Sequence, residues 1–534
     1  MPQGFKLYNR LKKWILINKF ILLILVFYFV FNLINLTRLP IFNDESIYLS
    51  WGWIQTHWAG HEYDSMFDGK QPLMLWFFGI FSNFFDPLFA GRLVSVIAGG
   101  ISLIGIYLVT KKIFNKNSAY LASIIFSISP IFVFYNRQAL LESGIICIGI
   151  WVFYSLLNLI EKPTNKNGAI LGIILGLGVF IKSNSFLFIL ISGIIISFYI
   201  YWKRKNDLLK PSLISLASLI SVDFLILINP VFWNTLASNS RYSFTFSELL
   251  SFPVSAWINN FLGFFEIGFF LLTPFIFVTG FLGIFLMIKS KIKNFKIFIA
   301  FFLSILILEI LLTKSQSTRY IVPFLVFIII SSSYFLGSLW RGKLYKKIIV
   351  ILSISIPFVA SSFLIFSPMS YLTNLSKFTR FSEAEYLQGQ TSGVGINDAM
   401  NFIEKDANGK PAFIFFGLNA GNPEDAINVY SLKTDNLLTL RIDSKLFNGL
   451  EKFDCMSSEF PAYFVTRSNE LLGMERFFKQ EITFPASDTY YTGIYTLKKC
   501  EGEKLPVLKV YRNAINEEFG FRPELKARFE QGGY

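Results

Sequence analysis

The sequence predicts a polytopic α-helical membrane protein with about 11 spans (range 11–13), followed by an extracytoplasmic α/β domain. Three observations carry this expectation. The 534 residues are 53% hydrophobic and 16% charged, with a mean hydropathy of +0.51, whereas a soluble domain has about a quarter of its residues charged. Apolar runs of about 17–22 residues recur as far as Phe366, the length that crosses a hydrocarbon layer roughly 30 Å thick. Beyond Pro368 the runs shorten to strand length and alternate with turn signals.

The first run, 15–36, follows Lys6, Arg10, Lys12 and Lys13 as a signal peptide would. It has no small-residue cleavage site and is long enough to span, so it reads as a retained anchor. The other expected spans are 89–110, 118–135, 139–160, 168–181, 186–202, 212–232, 262–288, 297–312, 320–340 and 348–366. Every second loop is basic: Lys111 and Lys112, Lys203 to Lys205, Lys289 to Lys296, and Arg341 to Lys347 fall on one side. Cytoplasmic loops keep such charge, which puts the N-terminus inside and, after an odd number of spans, the C-terminus outside an inner or plasma membrane. The basic surplus of the inner segments exceeds the whole chain's net charge of +14. The charge is therefore a topology signal, and nucleic acid is excluded as a partner.

The chain divides into a transmembrane body, 1–366, with a first outer loop at 37–88, and an outer domain, 367–534. In the outer domain, strands are expected at Ala412 to Phe416, Leu437 to Ile442, Pro461 to Val465, Thr492 to Leu497 and Leu505 to Tyr511. Helices should open near Asn397 and Asp398 and at Asn422-Pro423-Glu424-Asp425, the latter with Asn as cap and Pro in the first turn. Cys455 and Cys500 lie outside, where disulfides persist, and are either bonded to each other or two free thiols.

Ionisable residues near the outer face mark where chemistry can occur, because charge within a bilayer is costly unless it faces protein or a water-filled cavity. The first outer loop carries Asn43-Asp44-Glu45-Ser46, then Glu62-Tyr63-Asp64, then Asp68-Gly69-Lys70-Gln71-Pro72-Leu73. Arg92 enters the second span, Arg137 lies just past the third, Glu142 lies one turn into the fourth, and Arg319-Tyr320 heads the tenth. Such an outward cavity suits a membrane-borne substrate with an anionic head group. Lys70, Arg319 and Arg137 would hold a phosphate, and Asp44 would remove a proton from an incoming hydroxyl. Tyr63, Arg92 and Tyr320 are candidate cavity-lining residues. His57 and His61, the only two histidines, are four apart, but Gly60 and the lack of a third strong ligand favour a structural loop, so no metal site is assigned.

The order of these motifs resembles the GT-C glycosyltransferases, in particular the protein O-mannosyltransferase and lipid A aminoarabinose transferase superfamily (glycosyltransferase family 39-like). The resemblance covers the helical body and, more loosely, the outer domain. It implies a GT-C fold and a hexosyl- or pentosyltransferase that moves a sugar, with inversion, from a polyprenyl-phosphate donor to a protein, lipid or glycan acceptor on the outer face. Asp44 matches the first acid of the family's Asp-Glu pair, with Glu45 and Glu142 as further catalytic candidates; Glu142 stands where Asp is commoner. Lys70 matches the lysine of a Gly-Lys-Pro-Pro motif, although Gln71 replaces the first proline. Fixed cations would meet the donor's charge, so no cofactor is required and a divalent metal is dispensable. A transporter or flippase is the alternative, but it predicts repeated halves with broken helices, which the sequence does not display.

Overall fold

The structure, a computed structural model, describes residues 3–510 apart from 239–241, 291, 293, 341, 380–383, 418–420, 433, 435, 443–452, 469–473, 500–503 and 508–509. Side chains of 3–17, 235–238, 375–379 and 384 are likewise left out. The helices are α1 (Gln3–Leu33), α2 (Asn43–His57), α3 (Leu73–Ser82), α4 (Pro87–Ile113), α5 (Lys116–Ile128), α6 (Pro130–Asn136), α7 (Glu142–Glu161), α8 (Asn165–Ile181), α9 (Phe186–Tyr201) and α10 (Leu209–Leu227). They continue as α11 (Pro230–Ser238), α12 (Phe246–Leu250), α13 (Val254–Leu271), α14 (Pro274–Lys289), α15 (Phe295–Leu312), α16 (Thr318–Leu339), α17 (Leu344–Phe366) and α18 (Pro368–Thr379).

Among the described residues, eight helices are long and apolar enough to cross a membrane, or nine if the bent pair α5–α6 is one span. The chain is thus a multi-pass membrane protein, with a count that departs from the expected eleven in identifiable ways. The described part of the anchor, Asn18–Leu33, and α8 and α14 are shorter apolar helices. The expected span 118–135 bends by 63° between α5 and α6, where Pro130 has no N–H to continue the first helix. The expected span 262–288 is two helices broken at Leu272 and Thr273. Both descend alongside α16 in the same direction: Gly263 lies against Gln316, Gly268 against Leu325, Gly280 against Ile328 and Gly283 against Ser331. The loop 37–88, expected to be polar, contains the apolar α3, whose ten residues are too few to span.

Close packing in the bundle depends on small residues, as it must where lipid removes the hydrophobic driving force between helices. A Cβ at Gly172 of α8 would lie 2.0 Å from the Ser215 carbonyl oxygen of α10, so only glycine lets these two backbones approach.

The C-terminal region contains α19 (Ile396–Ala407), β1 (Ala412–Gly417), α20 (Glu424–Ser431), β2 (Leu437–Ile442), β3 (Cys455–Ser457), β4 (Ala462–Arg467), β5 (Phe478–Pro485), β6 (Tyr491–Leu497) and β7 (Lys504–Pro506). Five strands form a mixed sheet in the order β2-β1-β4-β6-β5; β1 is parallel to β2 and β4, whereas β6 is antiparallel to β4 and β5. Alternation along the strands splits the core. Ile414, Phe416, Tyr463, Val465 and Ile494 join the core shared with α19, α20 and the bundle, and Phe413, Phe415, Leu438, Phe464 and Phe478 build a second one on the other face. Two strands, β3 and β5, escaped the sequence reading; β5 is a largely exposed edge strand whose polar residues blur the alternation. The expected strand at Leu505 appears as the short β7, and part of its expected length lies outside the described residues. Cys455 begins β3 and is disulfide-bonded, while its expected partner Cys500 lies outside the described residues.

The strand-containing domain docks on the start of α2. Asn422 does not cap α20 as expected. Its backbone N–H donates to Asn43 Oδ1 (2.8 Å), and its side-chain amide donates to the carbonyls of Ile41 (3.3 Å) and Thr391 (2.9 Å). Gly421, at φ +97°, meets the Asn43 side chain so closely that a Cβ there would lie 2.0 Å from Asn43 Oδ1. Asp425 accepts from the Gly421 N–H (2.8 Å) and bonds Ser50 of α2. Burial, reinforced by neighbouring Glu424, pushes the Asp425 carboxyl from 3.8 up to about 7. The folded chain holds this proton after the unfolded chain has shed it, so the contribution to stability is full below the unfolded value and is lost as pH rises through about 7. Thermal unfolding followed across that window should show the wild type losing stability toward neutral pH and Asp425→Asn flattening the decline; parallel curves would remove Asp425 as its source.

Candidate active site

Helix α2 begins beneath the docked domain with Phe42 as N-cap, and its first turn carries Asn43, Asp44 and Glu45. Adjacent acids at the start of a helix are held near the positive end of its dipole. One helical step, about 100°, separates their side chains and sends them to different surroundings.

Glu45 is fully buried and receives four hydrogen bonds. Arg92 Nε and the Ala139 N–H donate to Oε1 (2.9 and 2.7 Å), and Arg92 Nη2 and the Phe42 N–H donate to Oε2 (2.7 and 3.0 Å). These fill the four lone-pair directions of a carboxylate. Arg92, expected to line a cavity, is instead completely buried and donates to the carbonyls of Leu36, Leu39 and Pro40. Glu45, expected as a catalytic candidate, has no oxygen left for substrate and serves with Arg92 as the clasp that fixes the chain entering α2. Removing one partner strands a buried charge at a cost of about 3–5 kcal/mol. Glu45→Gln and Arg92→Ala should therefore lower the midpoint of thermal unfolding well below that of the wild type; an unchanged midpoint in both would deny the clasp this role.

Asp44 points to a different network. Arg319 Nη1 at the head of α16 donates to Asp44 Oδ2 (2.5 Å), and Arg319 Nε lies 3.7 Å from Glu142 Oε1 in the first turn of α7. Lys182, at the end of α8, donates to the same Glu142 oxygen (2.9 Å). The result is a ladder, Asp44–Arg319–Glu142–Lys182, that ties four helices together at one end of the bundle. Asp44 Oδ1 has no protein hydrogen bond among the described residues, and the side chain is 27% exposed, so this oxygen is accessible. Arg319 Nη2 is buried and also lacks a partner among the described residues.

Lys70 follows the turn at Gly69, whose φ of +75° closes the short helix Asp64–Asp68. Its Nζ lies 5.9 Å from the centre of the Tyr48 ring, and among the described residues no carboxylate lies within ion-pair distance. Burial pulls the Lys70 ammonium below its ordinary range, and nearby Lys182 and Arg319 act in the same direction against Asp44 and Asp68. Gln71 accepts from the Ser183 N–H (3.1 Å), which fastens this loop to the α8–α9 junction and places Lys70 beside the ladder.

The other expected residues lie elsewhere. Arg137 donates to the carbonyls of Asn32 (2.5 Å), Ile34 (2.8 Å) and Asn35 (2.9 Å); it caps the end of α1 and is not presented to a phosphate. Tyr63 packs edge-on against Trp76 in a separate apolar cluster with Met66, Val179 and Phe180. Tyr320 lies under Lys182 Nζ (5.8 Å) and lines a narrow cleft of about 20 Å³ with Lys182, Arg319 and Glu309 at its polar side and Leu187, Phe188 and Phe324 as apolar wall. Lys182 and Glu309 belong with Arg92, Glu142 and Glu266 to the in-span charges from which an outward polar cavity is expected, without an individual role assigned. The signal for Lys182 was its position at the end of an apolar span on the same side as Lys70. Among the described residues no group of three or more His, Cys, Asp or Glu could hold a metal ion.

The multi-pass bundle thus brings an acid from just after its first span, a loop lysine and an arginine from a late span to one end, under a strand-containing domain, and the fold is that of the GT-C glycosyltransferases. Residues 69–233 match the family described as dolichyl-phosphate-mannose-protein mannosyltransferase. The structure resembles ArnT from Cupriavidus metallidurans in the apo state (TM-score 0.55, 13% identity, 91% of this chain and 98% of that one). It also resembles the same protein bound to undecaprenyl phosphate (TM-score 0.53, 12% identity, 90% and 98%). The Archaeoglobus fulgidus oligosaccharyltransferase is more distant, at TM-score 0.49 and 12% identity over 76% of this chain and 61% of that one. No curated protein sequence matches the chain.

Proposed function

We propose that the protein is an inverting glycosyltransferase that transfers a sugar from a polyprenyl-phosphate donor to an acceptor hydroxyl or amine. The observation that carries this reading is the pairing of an accessible carboxylate oxygen, Asp44 Oδ1, with cationic groups that no carboxylate fully engages, Lys70 and Arg319 Nη2. A base beside unspent cations suits a reaction in which a proton leaves the nucleophile while negative charge gathers on a phosphate. The matched family and the undecaprenyl phosphate bound to ArnT support the donor class.

In this reading the acceptor oxygen or nitrogen attacks the anomeric carbon and its proton passes to Asp44. The bond from that carbon to the phosphate oxygen breaks, and its electron pair leaves on the polyprenyl phosphate. Lys70 and Arg319 meet the developing charge; Glu142 and Lys182 position Arg319. Lys182 and Tyr320 line the narrow cleft beside Arg319. The basic alternate loops support a non-cytoplasmic placement of this end of the bundle, and in this reading residues 1–366 are the catalytic body and 367–534 the domain over it.

The test is turnover of a radiolabelled polyprenyl-phosphate sugar by the purified full-length protein in lipid nanodiscs. Release or transfer of the sugar, with polyprenyl phosphate as co-product, is expected. Vectorial movement of the lipid with its glycosidic bond intact would assign the protein to transport instead.

A further inference from the structure

The end of the bundle opposite the ladder carries charge of its own. Arg92 stands near the start of α4 and Lys111 in its last turn, so about 28 Å of helix separates them, close to the roughly 30 Å of a hydrocarbon layer. From the cluster around Lys111 we infer that the protein holds an anionic phospholipid in the leaflet opposite the reaction site. Its head group lies on Lys19, Lys111 and Lys116, and an acyl chain follows α1.

Three helices build the platform. Tyr107 of α4 and Tyr120 of α5 stack with ring centroids 5.6 Å apart, and Tyr120 also meets Phe20 of α1 at 5.8 Å. A lysine stands over each ring: Lys111 Nζ is 5.7 Å from the Tyr107 centre, Lys116 Nζ 5.6 Å from Tyr120 and Lys19 Nζ 5.3 Å from Phe20. Contiguous rings thus gather three exposed lysines from three helices. A ring face attracts an ammonium through its quadrupole but does not cancel its charge. Lys19 and Lys111 make no ion pair among the described residues. The sequence offers no local counter-charge either, since residues 1–43 and 87–141 contain no acid, and the chain before Lys19 adds only Lys6, Arg10, Lys12 and Lys13.

Other lysine and ring pairs at this end differ. Lys112 lies 6.0 Å from the Tyr154 centre but is ion-paired with Glu161 at 2.6 Å, and Lys205, over Tyr199, donates to the Ile160 carbonyl at 3.0 Å. The surface below the cluster distinguishes a lipid from a soluble anion. Phe20, Leu23, Phe27 and Val30 of α1 are exposed and recur with helical spacing, so they form one apolar stripe. It runs about 15 Å from the cluster, half the thickness of the hydrocarbon layer and so the depth of one leaflet. A free phosphate would leave this stripe unused, and a zwitterionic lipid would bring its own ammonium to a site already rich in cations. The bound lipid fastens this end of α1 to the α4–α5 hairpin, as Arg137 fastens the other end.

Native mass spectrometry tests this on the full-length protein, delipidated in detergent and titrated with palmitoyl-oleoyl phosphatidylglycerol or with phosphatidylcholine of the same chains. The wild type should bind phosphatidylglycerol more tightly. Lys19→Gln combined with Lys111→Gln should weaken that binding roughly tenfold or more, as the loss of two lysines beside an anionic head group implies. Lys203→Gln combined with Lys289→Gln removes the same charge from other loops at this end and should leave it unchanged. All proteins are first checked for a monodisperse size-exclusion profile, and the single substitutions, with about a fivefold effect each, serve if the first pair fails. Equal affinity for the two lipids, equal loss in both pairs, or full competition by glycerol phosphate at matched concentration would overturn the inference.

Discussion

Asp44→Asn is expected to lower sugar transfer by about 10²–10⁴-fold, the usual worth of a positioned general base. The substitution keeps the shape of the side chain and a carbonyl oxygen that can still accept from Arg319, so the ladder to Glu142 and Lys182 persists while the basic oxygen is lost. The loss should appear in kcat, with donor binding little changed, because the base acts on the acceptor and not on the phosphate. A radiolabel transfer assay at saturating donor measures it. Full activity in Asp44→Asn would remove this residue as the base. Glu45→Gln offers the contrast: its neighbour's defect should be one of folding, since all four positions around that carboxylate are taken by the protein itself.

Lys70→Ala should cost about 10²–10³-fold in turnover, comparable to deleting one donor aimed at developing negative charge in a water-poor site. Burial and the surrounding cations already pull the Lys70 ammonium down from its usual range. Activity should therefore begin to fall on the alkaline side at a lower pH than an ordinary lysine would give, as the ammonium becomes neutral and the phosphate loses its counter-charge. Lys70→Arg keeps the charge at all accessible pH and should move that limb upward even if its peak rate is reduced. The pH dependence of donor hydrolysis in the two proteins checks this, and coincident alkaline limbs would assign the titration to another group.

The candidate site was legible in part because membrane proteins write function in charge. Asp44, Lys70, Glu142 and Arg319 could be picked out from a mostly apolar sequence, and the structure brings all four to one end of the bundle. Arg92 and Arg137 looked equally promising, for the same reason, but both are spent on backbone carbonyls and, for Arg92, on Glu45. A guanidinium has five donors in a fixed fork, so it serves as well to gather loose chain ends as to hold a phosphate, and sequence alone does not distinguish these uses. Lys182 counted only among the in-span charges that mark an outward polar cavity, because its position in the sequence names no partner. Its role emerged only when α8 placed it on Glu142.

Hydrophobic run length and alternation are local properties that the solvent reads directly, so the membrane-spanning body, the strand-containing domain and most of its strands were legible in the chain. Tertiary structure alone decided where spans break, as between Leu271 and Pro274, and which acid of the Asp44-Glu45 pair is accessible. Both depend on which neighbour supplies the partner. Arg92 and Ala139 close around Glu45, whereas Arg319 takes only one oxygen of Asp44, and residues so far apart in the chain meet only once the helices have packed.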